Sequence, residues 1–382
     1  MSSASRHEKP SDHESASAST LRTVEHLMEE FRQLDSRPVP VEPDPLTTVL
    51  RKGYDQALPV LIARIVSKNL HSDQPGVVAL STVASGTWPL IINLILWALF
   101  PQWAYREFPN NLFALVGIPI CITMLAAGLL SWRMAITVSP SVIELVPSSE
   151  DRAKLANWLD RRLGILPQVL AAAIGLISAV AALVVAIGYN SAEPSLILLL
   201  AWLGFCGGAT LYWLLAAAEF PLRLLRCRYT KMTWIDPATT PGIRHLCALY
   251  SWVAGATALG LIASEVGTIL VFRGRYSPAV QAFILAFPVV AAILALYAGV
   301  QPFVSLSRLV RRHLDRILEP LLVQPADLPA HWLTAAGLDD VTRTYQYFRS
   351  LRRLPVRTGV LVQYVAGIIA SLIVFFVQQF LF

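Results

Sequence analysis

Seven long apolar runs divide the chain, and each can cross a membrane as a helix. A helix needs about 20 residues to span the roughly 30 Å hydrocarbon layer. The clearest run follows Arg357, where 25 residues contain no charge. The pattern predicts an all-α integral membrane protein: a polytopic bundle of about seven transmembrane helices with small cytoplasmic helical elements. Spans are predicted at residues 84–104, 111–132, 165–189, 194–218, 247–272, 278–300 and 358–380.

The charges between these runs predict the orientation. Of 31 lysines and arginines, 28 lie in alternate segments and three in the others. Basic loops stay on the cytoplasmic side, so we expect a cytoplasmic N-terminus and an external C-terminus. Among these cations 26 are arginine, in a chain rich in alanine and leucine, which indicates a GC-rich bacterial genome and the bacterial inner membrane.

Composition excludes a soluble protein and changes how the net charge is interpreted. Hydrophobic residues make up 55% of the chain and charged residues 15%, with a mean hydropathy of +0.55. A net charge of +6 raises the question of nucleic acid. The cations lie in loops beside spans, where anionic lipid headgroups attract them, so we expect membrane lipids and no nucleic acid as partners.

The hydrophobic pattern also divides the chain into five segments. An amphipathic stripe at residues 20–36 predicts a helix, and a second stripe from Leu58 to Ile65 predicts one on the membrane surface. The predicted segments are a disordered region with one amphipathic helix (1–47), an interfacial helix (48–76), a six-span bundle (77–300), cytoplasmic basic helices (301–357) and a C-terminal transmembrane helix (358–382). Residues 77–105 include Pro89, which leaves open whether the first span is one simple helix.

Two elements are predicted between the second and third spans. Alternating apolar and polar residues on both sides of Pro140 predict a small β-hairpin. Ser148 and Asp151 then fit a capping box that starts a helix. The element is either a connector docked on the bilayer or a docking element for a partner.

The sixth loop carries two predicted amphipathic basic helices. Arginines recur along one side of the first helix and alongside the apolar stripe of the second. These helices either lie against anionic lipid, pack with the N-terminal helix into a layer that receives a partner, or bind phosphate-bearing substrates. The candidate residues for this lipid or partner surface are Arg308, Arg312, Arg316, Arg349, Arg352 and Arg353.

Glu265 is the one acid well inside a predicted span. A charged carboxylate is costly in hydrocarbon, so Glu265 is the candidate for ion, proton or substrate contact. A structural hydrogen bond or a wet outer vestibule is the alternative. Candidate helix breaks of a carrier lie at Pro119, Gly207–Gly208 and Pro288.

Small residues recur at four-residue spacing and predict close helix packing within the bundle or between copies of the chain. They are Ala171, Gly175 and Ala179; Gly204 and Gly208; Ala295 and Gly299; and Gly367 and Ser371.

The sequence carries no nucleotide loop, nucleophile elbow or metal-ligand spacing, so neither a cofactor nor a metal is expected. We therefore expect a non-enzymatic scaffold, regulator or effector subunit that acts through its cytoplasmic face. Its expected partners are membrane lipids, together with a protein partner or further copies of the chain in a homo-oligomer. A channel or transporter that uses Glu265 is the first alternative, and an intramembrane enzyme is the second.

Overall fold

The computed structural model describes residues 44–66, 74–100, 117–187, 194–233, 236–272, 278–318, 343, 346–347 and 358–381. Helices make up the regular structure of these residues, and no strand occurs among them. In chain order they are α1 (Pro45–Asp55), α2 (Leu58–Val66), α3 (Pro75–Gly86), α4 (Trp88–Leu99), α5 (Ile118–Trp132), α6 (Ser139–Leu145), α7 (Ser149–Leu163), α8 (Ile165–Ile187), α9 (Pro194–Leu224), α10 (Pro241–Phe272), α11 (Pro278–Leu318) and α12 (Thr358–Leu381).

Seven helical stretches of the described residues are long and apolar enough to cross a membrane, which confirms the predicted class. The chain is a multi-pass membrane protein. These stretches are Pro75–Leu99, Ile118–Leu145, Ser149–Val184, Leu196–Leu224, Pro241–Ile262, Pro288–Arg316 and Gly359–Val377. Several extend past the predicted spans because helices continue beyond the apolar run.

The first stretch is a broken helix. Thr87 separates α3 from α4, and Pro89 lies in the first turn of α4. A proline cannot donate to the preceding turn, so the helix restarts there. The indole N–H of Trp202 on α9 donates to the buried Gly86 carbonyl (2.8 Å), which satisfies the backbone at the break.

The hairpin predicted around Pro140 is wrong. Residues Arg133–Val138 form a π-helical segment, and α6 follows directly. Pro140 lies in the first turn of α6, where a missing N–H costs little. Among the buried residues, Ala135, Val138, Val142 and Leu145 are spaced by three or four positions. This helical spacing overrides the alternation in the sequence because α1 and α10 cover the same face.

Residues 44–66 form two helices, of which one was predicted. Asp44 caps α1 by accepting from the Leu46 amide (2.9 Å), and Pro45 begins it. The predicted stripe from Leu58 to Ile65 forms α2, where Leu58 packs against Ala172 and Ala209. Ile65 is 80% exposed, in keeping with a helix half on the bundle and half at its surface. The predicted helix at residues 20–36 lies outside the described residues.

Helices α8 and α9 approach each other backbone to backbone. A β-carbon at Gly175 would collide with the Gly204 carbonyl oxygen, and one at Gly208 would collide with the Ala171 carbonyl oxygen. The small-residue spacing therefore packs two helices of one chain. Two of the predicted breaks are wrong, because α9 runs through Gly207–Gly208 and α11 runs through Pro288. Pro119 lies in the first turn of α5, and the residues before 117 lie outside the described part of the chain.

Candidate functional sites

A polar layer caps one end of the bundle. We define the polar layer as Asp44 with α1, α7, residues 225–233 and 236–240, and residues 303–316 of α11. Its apolar side joins the largest buried cluster, which includes Leu46, Leu155, Met232 and Leu309. Four sequence-distant segments therefore share one core, so the layer is an integral part of the fold.

Asp44 and Arg152 join α1 to α7. Arg152 Nε lies 2.7 Å from Asp44 Oδ2, and each side chain is 11% exposed. The pair is an electrostatic contact, while the directional hydrogen bonds of Arg152 run from its Nη1 to the Val146 and Pro147 carbonyls, both at 3.0 Å. The predicted capping box is confirmed beside it, because the Ser148 hydroxyl accepts from the Asp151 amide (3.3 Å).

Residues 225–240 are tied to the layer by backbone contacts. The Arg228 amide donates to Asp151 Oδ2 (2.7 Å), and the Lys231 amide donates to the Leu145 carbonyl (2.7 Å). Arg312 of α11 donates to the Leu225 carbonyl (2.6 Å). These bonds fix a connection that has little regular structure.

Glu219, near the end of α9, contacts the polar layer through Arg162 of α7. Arg162 Nη2 lies 2.8 Å from Glu219 Oε2 and 3.2 Å from Oε1, and both side chains are partly exposed. The Tyr212 hydroxyl donates to the Arg162 carbonyl (2.6 Å). Together these contacts fasten α7 to α9.

The end of α11 separates an apolar face from a basic face. Its apolar stripe is buried against protein, with Leu306 and Val310 at 0% exposure and Leu309 and Leu314 at 2%. The predicted candidates on the opposite face, Arg308, Arg312 and Arg316, are exposed together with Arg311. These four arginines and Asp315 line a shallow depression of about 350 Å³.

Residues 228 and 229 extend this basic surface. The guanidinium groups of Arg228 and Arg316 each lie 5.8 Å from the centroid of the Tyr229 ring. We call Arg228, Arg308, Arg311, Arg312 and Arg316 the basic surface. Candidates Arg349, Arg352 and Arg353 lie outside the described residues, so the second predicted basic helix stays a prediction.

The Cys227 thiol lies in the core of the polar layer. Burial raises the pKa of the Cys227 thiol to about 11; nearby Asp151 also raises it, while Arg312 lowers it. The thiol is 7% exposed. A thiol held neutral in this way behaves as a small apolar side chain.

Glu265 lies at the far end of α10 from the polar layer. It is 7% exposed, and the Ser371 hydroxyl of α12 donates to its Oε2. Its Oε1 is buried without a hydrogen-bond partner among the described residues. Sequence reasoning selected Glu265 for its depth and selected Ser371 for its size, but gave no sign that the two residues meet.

Helices α10, α11 and α12 contact one another at successive helical turns between the polar layer and Glu265. The Tyr364 hydroxyl of α12 donates to the Ala295 carbonyl of α11 (2.8 Å) and lies 3.0 Å from the Thr257 hydroxyl of α10. One turn further from the polar layer, Leu261, Ala292 and Ile368 form an apolar layer. A further turn reaches Glu265 and Ser371, and Pro288 on α11 by helical spacing. We call these three levels the outer trio.

A serine–histidine pair also occurs, at the start of α10. Ser141 Oγ and His245 Nδ1 lie 2.6 Å apart. Ser141 is 5% exposed, so its hydroxyl is covered rather than presented to a substrate. The pair fastens α6 to α10.

Several site residues were missed by sequence reasoning. Asp44, Arg228, Tyr229 and Arg311 contribute to the layer, and among them Asp44 had a local signal, an N-cap residue followed by proline. The described residues contain no group of three or more histidines, cysteines or acids placed to hold a metal. No protein-family model, curated protein or solved structure matches this chain.

Proposed function

We propose that this membrane protein is a non-enzymatic scaffold or regulatory subunit whose basic surface binds an acidic segment of a cytoplasmic protein. The observation that carries this proposal is the orientation of the α11 end, with its apolar stripe inside the protein and its arginines outside. The polar layer then faces the cytoplasm of a bacterium, and the bilayer is its inner membrane.

The buried stripe favours a protein partner over a lipid surface. An amphipathic helix that lies on lipid inserts its apolar face among the acyl chains. Here Leu306, Leu309 and Leu314 pack in the main core, so that face has no contact left to offer a membrane.

The position of the arginines along α11 supports the same choice. Arg308 is the first charged residue of α11, and Arg316 follows two turns later, about 12 Å further along the axis. The headgroup region of one leaflet is about 5–8 Å thick. Headgroups that reach Arg308 therefore do not cover Arg316.

Charge supplies the chemistry of the partner. The basic surface holds five arginines, and Asp315 is the acid that lines the same depression, 3.6 Å from Arg311. Arginine forks recognise carboxylates through paired N–H groups. A flexible segment rich in aspartate or glutamate matches this surface.

The orientation rests on the loop charges. In the sequence, 28 of the 31 cations lie in alternate segments, among them the segments that form the polar layer, and cytoplasmic loops characteristically retain such cations. A reporter fused after Phe382 should then be active outside the cytoplasm, and a reporter before residue 44 inside it. The reverse pattern contradicts the proposed orientation.

Transport and catalysis find less support in the described residues. The α8–α9 interface is closed by backbone contact, and the break at Thr87 is satisfied by Trp202. The Ser141–His245 pair is covered. These features make a stable platform rather than a pathway or a reaction centre.

The test measures binding of a fluorescein-labelled glutamate decapeptide to the full chain in phosphatidylcholine nanodiscs. Reversing Arg308 and Arg316 to glutamate should weaken binding about tenfold or more, because both arginines are exposed and contribute charge to the surface. Arg161→Glu on exposed α7 is the matched control and should bind as the native chain does.

Two results would contradict the proposal. In one, the Arg308→Glu/Arg316→Glu chain binds the peptide unchanged. In the other, the same variant loses co-purified anionic lipid but keeps peptide binding, which assigns the arginines to headgroups instead.

A further inference from the structure

We propose that Trp158 of α7 and Arg223 of α9 form a binding site for the phosphate of an anionic phospholipid. We call these two residues the α7–α9 site. It uses none of the five arginines of the basic surface, and it does not depend on which side of the membrane the polar layer faces. The ligand class is a phospholipid with one net negative charge, such as phosphatidylglycerol.

The α7–α9 site continues the close packing of α8 against α9. Gly175 of α8 lies against Gly204 of α9, and Trp158 of α7 meets Arg223 at the end of α9. Nearly the same number of residues separates the two contacts on each side, so α8 and α7 follow α9 in one antiparallel register. The site therefore lies where this helix pair leaves the bundle.

The charge pattern places the α7–α9 site at the level of the lipid headgroups. Glu219 is the first charged residue of α9, and Arg223 follows one turn later, about 6 Å along the axis. A headgroup region about 5–8 Å thick covers that distance. On the adjoining helix, α8 begins with the apolar side chains of Ile165 and Leu166, which are 44% and 68% exposed. Exposed apolar residues thus give way to charge at this end of both helices.

The ring of Trp158 positions the guanidinium of Arg223. Trp158 is partly buried and packs against the main core cluster, so its ring is held in place. The guanidinium carbon of Arg223 lies 5.1 Å from the ring centroid, and the side chain of Arg223 is partly exposed. A cation–π contact orients an arginine but does not neutralise its charge. Arginine forks bind phosphate through paired N–H groups, and tryptophan rings favour the headgroup level.

The neighbouring ion pair determines which headgroup fits. One turn before Arg223 on α9, the Glu219 carboxylate is occupied by Arg162 at 2.8 Å. The ammonium of a zwitterionic headgroup would have to compete with Arg162 for that carboxylate. The exposed Arg226 adds positive charge beyond the end of α9. A headgroup with a phosphate and no ammonium therefore complements this end of α9 best.

The test is native mass spectrometry of the purified full chain in detergent, with equal amounts of phosphatidylglycerol and phosphatidylcholine added. We expect the native chain to retain phosphatidylglycerol in preference. Arg223→Gln should lower that retention about tenfold, because the charge and the fork are both lost. Arg244→Gln is the matched control, since Arg244 is an exposed arginine in the first turn of α10, and it should behave as the native chain does.

A second variant separates loss of the site from loss of the fold. Arg223→Lys keeps a cation that can contact the ring of Trp158 but has no fork, so its retention of phosphatidylglycerol should be intermediate. Retention in Arg223→Lys as low as in Arg223→Gln would overturn the role given to the charge.

Three further results would overturn the proposal. The first is equal retention of the two lipids by the native chain, and the second is unchanged retention in Arg223→Gln. The third is displacement of phosphatidylglycerol by inorganic phosphate, which would make this a site for free phosphate. The Arg308→Glu/Arg316→Glu chain should keep the lipid, so that failure of the basic surface and failure of the α7–α9 site are distinguishable.

Discussion

The polar layer and the outer trio lie at opposite ends of the bundle and use different contacts. In the polar layer each acid meets a cation or backbone amides: Asp44 meets Arg152, Asp151 meets the Arg228 amide and Glu219 meets Arg162. In the outer trio the polar contacts are made by hydroxyl groups: that of Tyr364 donates to the Ala295 carbonyl, and that of Ser371 donates to Glu265. The polar layer therefore depends on charge pairing, whereas the outer trio depends on single hydroxyl hydrogen bonds and apolar packing.

The largest effect should come from removing one charge of the layer. Asp44→Ala leaves the guanidinium of Arg152 nearly buried without its carboxylate and also removes the cap of α1. We expect a loss of about 3–5 kcal/mol in the free energy of unfolding. The measurement is a denaturant titration of the purified chain followed by tryptophan fluorescence. A loss under about 1 kcal/mol would mean that the pair is screened like a surface pair.

The reactivity of Cys227 tests whether the interior of the polar layer is shielded from solvent. Its pKa is raised from 9.0 to about 11, so at pH 8 maleimide should react with the folded chain about a hundredfold more slowly than with the unfolded chain. The stability gained from the neutral thiol is complete below pH 9 and is lost as pH rises through about 11. Mass spectrometry of the alkylated peptide gives the rate, and fast labelling of the folded chain would show an open layer.

Within the outer trio, Gly299→Ala should disturb side-chain contact. A β-carbon at Gly299 would collide with the ring and hydroxyl of Tyr364, which would have to move from the Ala295 carbonyl. We expect a cost of about 1–3 kcal/mol in thermal or denaturant unfolding. Gly367→Ala on α12 is the control, because nothing lies within 4 Å of its added carbon. Equal effects at the two glycines would refute this arrangement.

Tyr364→Phe isolates the hydrogen bonds from the packing. It keeps the ring against Gly299 but removes the hydroxyl that donates to Ala295 and meets Thr257. We expect about 0.5–1.5 kcal/mol of destabilisation in the same titration. An effect as large as that of Gly299→Ala would assign the whole contact to the hydroxyl.

The smallest changes in the free energy of unfolding are expected for Glu265→Gln and Glu219→Gln, and their salt dependence should differ. Glu265→Gln keeps the shape of the side chain and an oxygen that can accept from Ser371, so it should change stability by less than about 0.5 kcal/mol at low or high salt. Glu219→Gln breaks a partly exposed ion pair and should cost about 0.5–1 kcal/mol at low salt and less in 1 M NaCl. A salt-dependent loss at Glu265 would indicate that its carboxyl is charged.

Much of the fold could be predicted from local patterns. The lengths of the apolar runs gave the number of membrane helices, and Ser148 with Asp151 located the start of α7. The small-residue spacing indicated the close α8–α9 approach. Each of these features depends on residues within a few turns of one another.

Features set by distant contacts could not be predicted. The ion pair of Asp44 and Arg152 joins residues 108 positions apart, and Ser371 meets Glu265 across 106. Residues 136–147 alternate like strands in the sequence, but the part up to Leu145 folds as helix because α1 and α10 cover its spaced apolar positions. The spacing of residue types within a short stretch of sequence does not indicate which distant residues will come into contact.

The continuity of α11 has a mechanical consequence. One helix of 41 residues runs from the level of Pro288, beside the outer trio, to Arg316 on the basic surface. These two residues are about 42 Å apart along the axis. A change in tilt of about 5°, small against the range that membrane helices adopt, would carry Arg316 sideways by about 4 Å. Because the end of α11 packs in the core that it shares with the other segments of the polar layer, the whole layer would shift together with Arg316.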